Sequence, residues 1–344
     1  MNQICLISNS TTSVMAELFE AKLPPQGNIL LLANKKIADK YSYVKTSSFS
    51  KTSTGGLWFI VDAIFSFYIC FYLLLKNTRV IIFDTAHISN IPLSILWKLL
   101  RRKQIFTIHD WTPHPGRNHS ATHLYNKYVK KYLADGFIVY STTPQQEKPV
   151  FQLTLGGLSD KKQTRLDPSG DVLFFGRIEP YKGIANLIDI TKEMRVRNMK
   201  NKVIVAGSGK DEHLPLLNKI DNTQIINRFI KDHEMDGLFR KAAVCVMPYN
   251  SATQSAVSLL AYSYGVPVVT YDVGNLREDI EQGKTGFAVP HDEASTFCDR
   301  IQDTLNNGQE MQKNVIRRFN ELHSSSAVSS KFYQLMRRIK KLYS

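Results

Sequence analysis

The chain has 344 residues, 43% hydrophobic and 22% charged, which suits about two packed domains and excludes a disordered protein. Lys and Arg number 44 against 30 Asp and Glu, a net charge of +14. The four cysteines (Cys5, Cys70, Cys245, Cys298) show no metal-ligand spacing and no C-x-x-C pair, which excludes a disulfide scaffold and a cysteine zinc site and suits a reducing, cytoplasmic setting.

The N-terminal residues carry no basic run and too short an apolar run for a secretory signal. Short β-branched runs then predict strands at 4–8, 29–32, 80–83, 105–108 and 137–140. Helical patterns at 14–21, 57–76, 91–102 and 121–134 separate them. Residues 57–75 hold a single charge, Asp62, and approach membrane-spanning length. The strand at 80–83 follows almost at once, so a buried or surface-embedded helix is expected rather than a span.

Residues 1–150 carry 17 basic and 8 acidic side chains, residues 151–300 carry 19 of each, and residues 301–344 carry 8 and 3. The excess charge therefore sits in the first half and the tail. With the apolar helix, the clusters Arg101-Arg102-Lys103, Lys127/Lys130/Lys131, Arg337-Arg338 and Lys340-Lys341 predict an anionic membrane surface as partner. The location expected is cytoplasmic, peripheral on the inner face of the plasma membrane. Solvated basic faces and a core helix are the plainer alternative.

Composition changes at 156–170, where Gly156-Gly157 and Pro168-Ser169-Gly170 bracket a polar stretch that reads as a linker. A second alternation follows. Strands are predicted at 172–175, 203–206, 224–229, 244–247 and 268–271, and helices at 184–194, 214–220, 234–242, 255–264, 296–305 and 330–342. The fold class predicted is α/β, with two tandem Rossmann-like doubly wound domains facing a central cleft. The boundaries expected are 1–155, a linker at 156–170, a second domain at 171–325 and a basic helix at 326–344 packing back on the first domain.

Residues just after strands are the ones placed to bind ligands in such sheets. Gly176 to Gly183 follow the first strand of the second domain and set Arg177 and Lys182 five apart, two cations suited to a pyrophosphate or equally to a solvated loop. Thr253-Gln254-Ser255 precede a helix whose free amides could hold an anion, or Thr253 could simply cap it. Gly207-Ser208-Gly209 lacks the third glycine of a dinucleotide turn, having Glu212 there. Gly283-Lys284-Thr285 lacks the first glycine of a P-loop, having Glu278 there, so a P-loop is excluded.

In order, Phe175 to Gly183, Val203 to Gly209, Asn227-Arg228-Phe229-Ile230, Val246 to Tyr249, Ala261 to Val269, and Asp272 to Glu278 with Gly283 to Gly286 resemble the donor-binding domain of retaining GT-B glycosyltransferases of family 4. The resemblance implies that Arg177 and Lys182 bind the diphosphate of a nucleotide-sugar. It also implies a donor site formed by Gly176, Gly207, Gly209, Phe229, Ile230, Thr253, Gln254, Ser255, Ala256, Val257 and Glu278. That chemistry needs no metal and no cofactor. One departure stands out. The family's two glutamates, eight residues apart, fall here at Ala252 and Leu260. A leucine cannot bond a ribose, so the ribose must be held otherwise, by Glu278 or main chain.

The first half matches the family less closely. Its best element, Phe106 to Gly116, ends a strand at Ile108 and delivers His109, which the resemblance implies positions the transferred sugar; Asp110 and His114 are acceptor-side candidates. The activity implied is transfer of a sugar to a membrane-associated glycolipid or oligosaccharide in surface polysaccharide synthesis, lipopolysaccharide or capsule. The alternatives are a non-catalytic GT-B subunit and a basic nucleic-acid binder. Nucleic acid is disfavoured as a partner by the absence of any known binding motif.

Overall fold

The computed structural model describes residues 3–8, 29–34, 45–48, 56–109, 111, 121–140, 143–156, 170–252 and 255–343. The expected helix at 14–21, most of the linker, and Asp110, His114, Thr253 and Gln254 lie outside them. The chain divides into two compact units, Met1–Gly157 with Ser325–Ser344, and Leu158–Ser324.

The first unit runs β1 (Gln3–Ser8), β2 (Ile29–Asn34), β3 (Lys45–Ser48), α1 (Gly56–Leu75), β4 (Thr78–Phe83), α2 (Asn90–Leu99), β5 (Lys103–Ile108), α3 (Ala121–Tyr128), β6 (Gly136–Val139) and β7 (Val150–Gln152). The strands form one parallel seven-stranded sheet in the order β3-β2-β1-β4-β5-β6-β7. The central strands are apolar on both sides because both sides are covered. On one face Cys5, Ile81, Phe106 and Phe137 pack under α1, α2 and α3, through Leu73, Trp97 and Tyr125. On the other, Leu6, Ile82 and Ile138 meet Phe332, Leu335, Met336 and Ile339, which belong to the chain's last helix, Ser325–Tyr343.

Two expected helices end early. The one expected over 91–102 stops at Leu99, and Arg101 turns the chain at φ 55°. The one expected over 121–134 changes to a π-helical turn, Val129–Leu133, after Tyr128. The strands β3 and β7 were not visible in the sequence: Lys45–Ser48 is polar, and β7 has three residues.

The second unit runs β8 (Asp171–Phe175), α4 (Ile184–Val196), β9 (Val203–Gly207), α5 (Leu214–Leu217), β10 (Thr223–Asn227), α6 (Asp232–Lys241), β11 (Ala242–Met247), α7 (Ala256–Ser263), β12 (Val268–Tyr271), β13 (Gly286–Val289), α8 (Ala294–Asn306) and α9 (Gly308–Leu322). Its six strands are parallel, in the order β10-β9-β8-β11-β12-β13. The last helix can now be numbered α10; it follows α9 directly and joins the first unit. The strand expected over 224–229 stops at Asn227, which leaves Phe229 and Ile230 in the loop beyond it.

Candidate functional site

Strand order reverses in the second unit between β8 and β11, whose neighbours lie on opposite sides. Ligands of open α/β sheets bind at the carboxyl ends of such a strand pair. β8 delivers Gly176 and Arg177 there, and a single 3-10 turn, Pro180–Lys182, carries the chain to Gly183 and into α4. Gly183 has φ 73°, and a Cβ on it would stand 1.8 Å from the carbonyl oxygen of Pro248. Only glycine fits there. The same edge holds Gly207, whose Cβ would meet the carbonyl oxygen of Gly176 at 1.7 Å. The turns after β8 and β9 are therefore pressed together, and main-chain bonds tie them: Gly176 N donates to Ala206 O at 3.0 Å and Ile178 N to Ser208 O at 3.0 Å.

The two cations of this turn differ. The Arg177 side chain is half exposed and pairs with Glu179 at 3.2 Å. Lys182 is buried, with Nζ 3.8 Å from the centroid of the Tyr249 ring. Burial, and next the nearby charge of Arg177, bring its ammonium down to about 7. Near neutral pH Lys182 is thus poised between charge states, and an anion brought to it would favour the charged form. Tyr249 is the site residue the sequence left without a role. It sits two residues beyond β11, where sequence spacing does not reveal which ring faces which cation.

Helix α7 starts at the same edge. Its N-cap is Ser255, whose hydroxyl accepts from Val257 N at 3.2 Å, so the capping role expected of Thr253 is filled two residues later. Ala256 is exposed and Val257 half-buried; a Cβ on Gly176 would lie 3.3 Å from Val257 Cγ2. Gly176, Arg177, Lys182, Gly207, Gly209 and Val257 thus gather at the ends of β8, β9 and β11. Phe229 (76% exposed) and the buried Ile230 follow β10, two strands from β8. Glu278 is exposed on the turn Leu276–Asp279 beyond β12. Leu260, where the resemblance expects a glutamate, is half-buried on α7. A cavity of about 760 Å³ opens beside the turn, lined by Pro180, Gly209, Asp211, His213, Asn227 and Asn250; neither Arg177 nor Lys182 lines it.

In the first unit His109 directly follows β5. Its ring stacks on Tyr140, centroids 5.0 Å apart, and Nε2 lies 3.3 Å from the carbonyl oxygen of the buried Asp84. Among the described residues no group of His, Cys, Asp and Glu could hold a metal ion.

The architecture of two tandem doubly wound domains is the GT-B fold, shared with solved structures. Residues 169–307 match the family model Glycosyl transferases group 1. Among curated proteins, D-inositol 3-phosphate glycosyltransferase of Frankia alni is 30% identical over 154 residues, 41% of this chain and 38% of that protein. The capsular polysaccharide biosynthesis glycosyltransferase CapM of Staphylococcus aureus is 28% identical over 164 residues, 45% of this chain and 42% of its own. The chain thus spans about two fifths of the length of these curated relatives. Anabaena Alr3699/HepE, solved in complex with UDP, superposes with a TM-score of 0.70 at 14% identity, over 98% of this chain and all of that one.

Proposed function

We propose that the protein is a retaining, metal-independent glycosyltransferase of family 4 that binds a nucleotide-sugar at the β8 turn and passes the sugar to a glycan or lipid-linked acceptor. The observation that carries this is the pair Arg177 and Lys182 at the reversal of strand order, one half exposed and one buried with its ammonium near neutrality. A diphosphate placed between them would restore full charge to Lys182. The two cations would then stabilise the negative charge that grows on the leaving group as the glycosidic bond breaks. The amides at the start of α7 add neutral donors, with Gly176, Gly207 and Gly209 letting phosphate approach the main chain. Phe229 and Ile230 flank the base and Glu278 is the candidate for the ribose. His109, held by Tyr140 and Asp84, positions the sugar, and Asp110 and His114 serve the acceptor. Surface polysaccharide synthesis is the setting proposed, of capsule, as the likeness to the capsular polysaccharide glycosyltransferase CapM favours, or of lipopolysaccharide.

A second reading rests on Leu260 and Ala252. A domain without the glutamate pair could bind nucleotide without turnover, as a non-catalytic subunit.

Calorimetric titration with UDP, GDP and ADP, on wild type and on the Arg177→Ala/Lys182→Ala variant, tests the site. One nucleotide should bind, and the variant should lose it. Undiminished binding in the variant refutes the site. Nucleotide binding without sugar transfer to any glycan acceptor favours the non-catalytic subunit.

A further inference from the structure

Helix α1 is turned the wrong way for water. Its inward face carries its two strongly polar side chains, Asp62 (4% exposed) and Ser66 (3%), beside Ile69 and Leu73. Its outward face shows Ile60, Ile64, Phe67, Phe71 and Leu75, each 56–69% exposed. At 100° per residue these five fall within an arc of about 80°, a continuous apolar stripe with no polar side chain in it. The inward polar groups serve the fold: Ser66 donates to the carbonyl oxygen of Asp62 at 2.8 Å, and the Asp62 charge acts on His87. A helix facing water places these groups the other way round.

The neighbouring helices extend the pattern. Leu99 on α2 is 75% exposed and Leu124 on α3 is 56% exposed. Among the described residues of 56–135, every exposed charged side chain is a lysine or an arginine, including Lys76, Arg79, Lys98, Arg101, Lys127 and Lys131. The acids Asp62, Asp84 and Asp135 are buried or half-buried, and Asp135 pairs with Lys98 and Lys103.

We propose that the outer surface of the α1–α3 layer docks on an anionic lipid bilayer, with α1 lying in the interface and Ile64, Phe67 and Phe71 inserted among the lipids. The charge decides the occupant. An apolar ridge whose exposed charged neighbours, among the described residues, are all cations complements a surface that is apolar inside and anionic outside. A second copy of the chain would set cations against cations. The helix lies on the membrane rather than through it, because Asp62, Ser66, Ile69 and Leu73 are committed to the unit's own packing. Among the described residues no helix is long and apolar enough to cross a membrane. The inference uses none of the groups of the donor site and stands or falls apart from it.

The test is sedimentation of the full chain with sucrose-loaded vesicles of phosphatidylcholine, alone and with about one third phosphatidylglycerol. Retention should need phosphatidylglycerol and fall as salt is raised. Phe67→Ser/Phe71→Ser should abolish it at every salt concentration. Lys127→Gln/Lys131→Gln should weaken it several-fold. All four positions are exposed, so thermal melting by circular dichroism should match wild type and exclude misfolding. A Phe67→Trp variant reads insertion directly, as a blue shift quenched by brominated lipid. Equal recovery of wild type in the supernatant with both vesicles overturns the proposal. So does lipid-independent self-association lost in Phe67→Ser/Phe71→Ser, which would assign the face to a second copy. Retention unchanged on phosphatidylcholine alone overturns the role of charge.

Discussion

Counted from the first strand of each unit, six strands share one winding, 3-2-1-4-5-6, and the N-terminal sheet adds a seventh at its edge. The carboxyl ends at the two reversals nevertheless differ in chemistry. In the C-terminal unit the reversal holds two cations on a turn built from main-chain contacts so close that only glycine fits. In the N-terminal unit it holds the buried Asp84, whose main-chain amide donates to Ile7 O at 2.8 Å; His109, which follows the next strand, stacks on Tyr140. One winding thus carries two kinds of strand end. Where main chain presses on main chain, residue identity at several positions is dictated. Where side chains fill the strand end, the same scaffold accepts many sequences.

The sharpest way to break this contrast is to add one methyl group to the backbone-built turn. Gly183→Ala places a Cβ 1.8 Å from Pro248 O at a positive φ, and unfolding free energy should fall by at least about 2–3 kcal/mol, measured by urea denaturation. A variant as stable as wild type would mean that the turn is free to move. Lys182→Met comes next. Removing the buried cation should weaken nucleotide-sugar binding by about 10²-fold in calorimetry. It should also raise the stability of the ligand-free protein at pH 6 by about 1–2 kcal/mol, because a desolvated charge is gone. Loss of both affinity and stability would make Lys182 a structural residue.

The pH dependence of that site follows with its sign. Free Lys182 loses its proton around pH 7, and bound diphosphate would hold the proton on. Affinity for a nucleotide-sugar should therefore weaken by about tenfold per pH unit above 7 until the bound complex itself deprotonates. Titration in buffers of different ionisation enthalpy should show proton uptake on binding, absent in Lys182→Met. In the ligand-free protein the same lowered value makes the unfolded chain the better proton binder between pH 7 and the usual lysine range, so this group adds stability as pH rises through that window. Smallest is the cap of α7. Ser255→Ala removes one acceptor for Val257 N and should cost about 1 kcal/mol in a urea melt.

The alternation of apolar runs and helical periods made the central strands of both sheets legible, because strands covered on two sides must be continuous in apolar residues. Edge strands carry the mark unevenly: β10 is predicted, whereas Lys45–Ser48, Val150–Gln152 and Gly286–Val289, which also pair along one side only, are not. At the site, Arg177, Lys182 and Gly183 could be read from their spacing, since one turn carries all three. Tyr249 could not, because the contact between its ring and Lys182 joins residues 67 positions apart. The direction in which α1 faces was equally hidden. Its residues are apolar nearly all round, and only Asp62 and Ser66, through their burial, show which side is inward.

The helix that closes the first sheet is made long after the sheet itself. Ser325–Tyr343 supplies Phe332, Leu335, Met336 and Ile339 to a core whose other members lie before residue 156. During synthesis the ribosome must add the 167 residues from Leu158 to Ser324 before this helix emerges. At ordinary elongation rates that is a wait of roughly 8–30 s. Through that interval the nascent first unit lacks Phe332, Leu335, Met336 and Ile339 from one of its two cores, while the second unit, continuous in sequence, can finish first. The order of completion is therefore the reverse of the order of appearance, and a fragment ending at residue 157 lacks a wall of its own core.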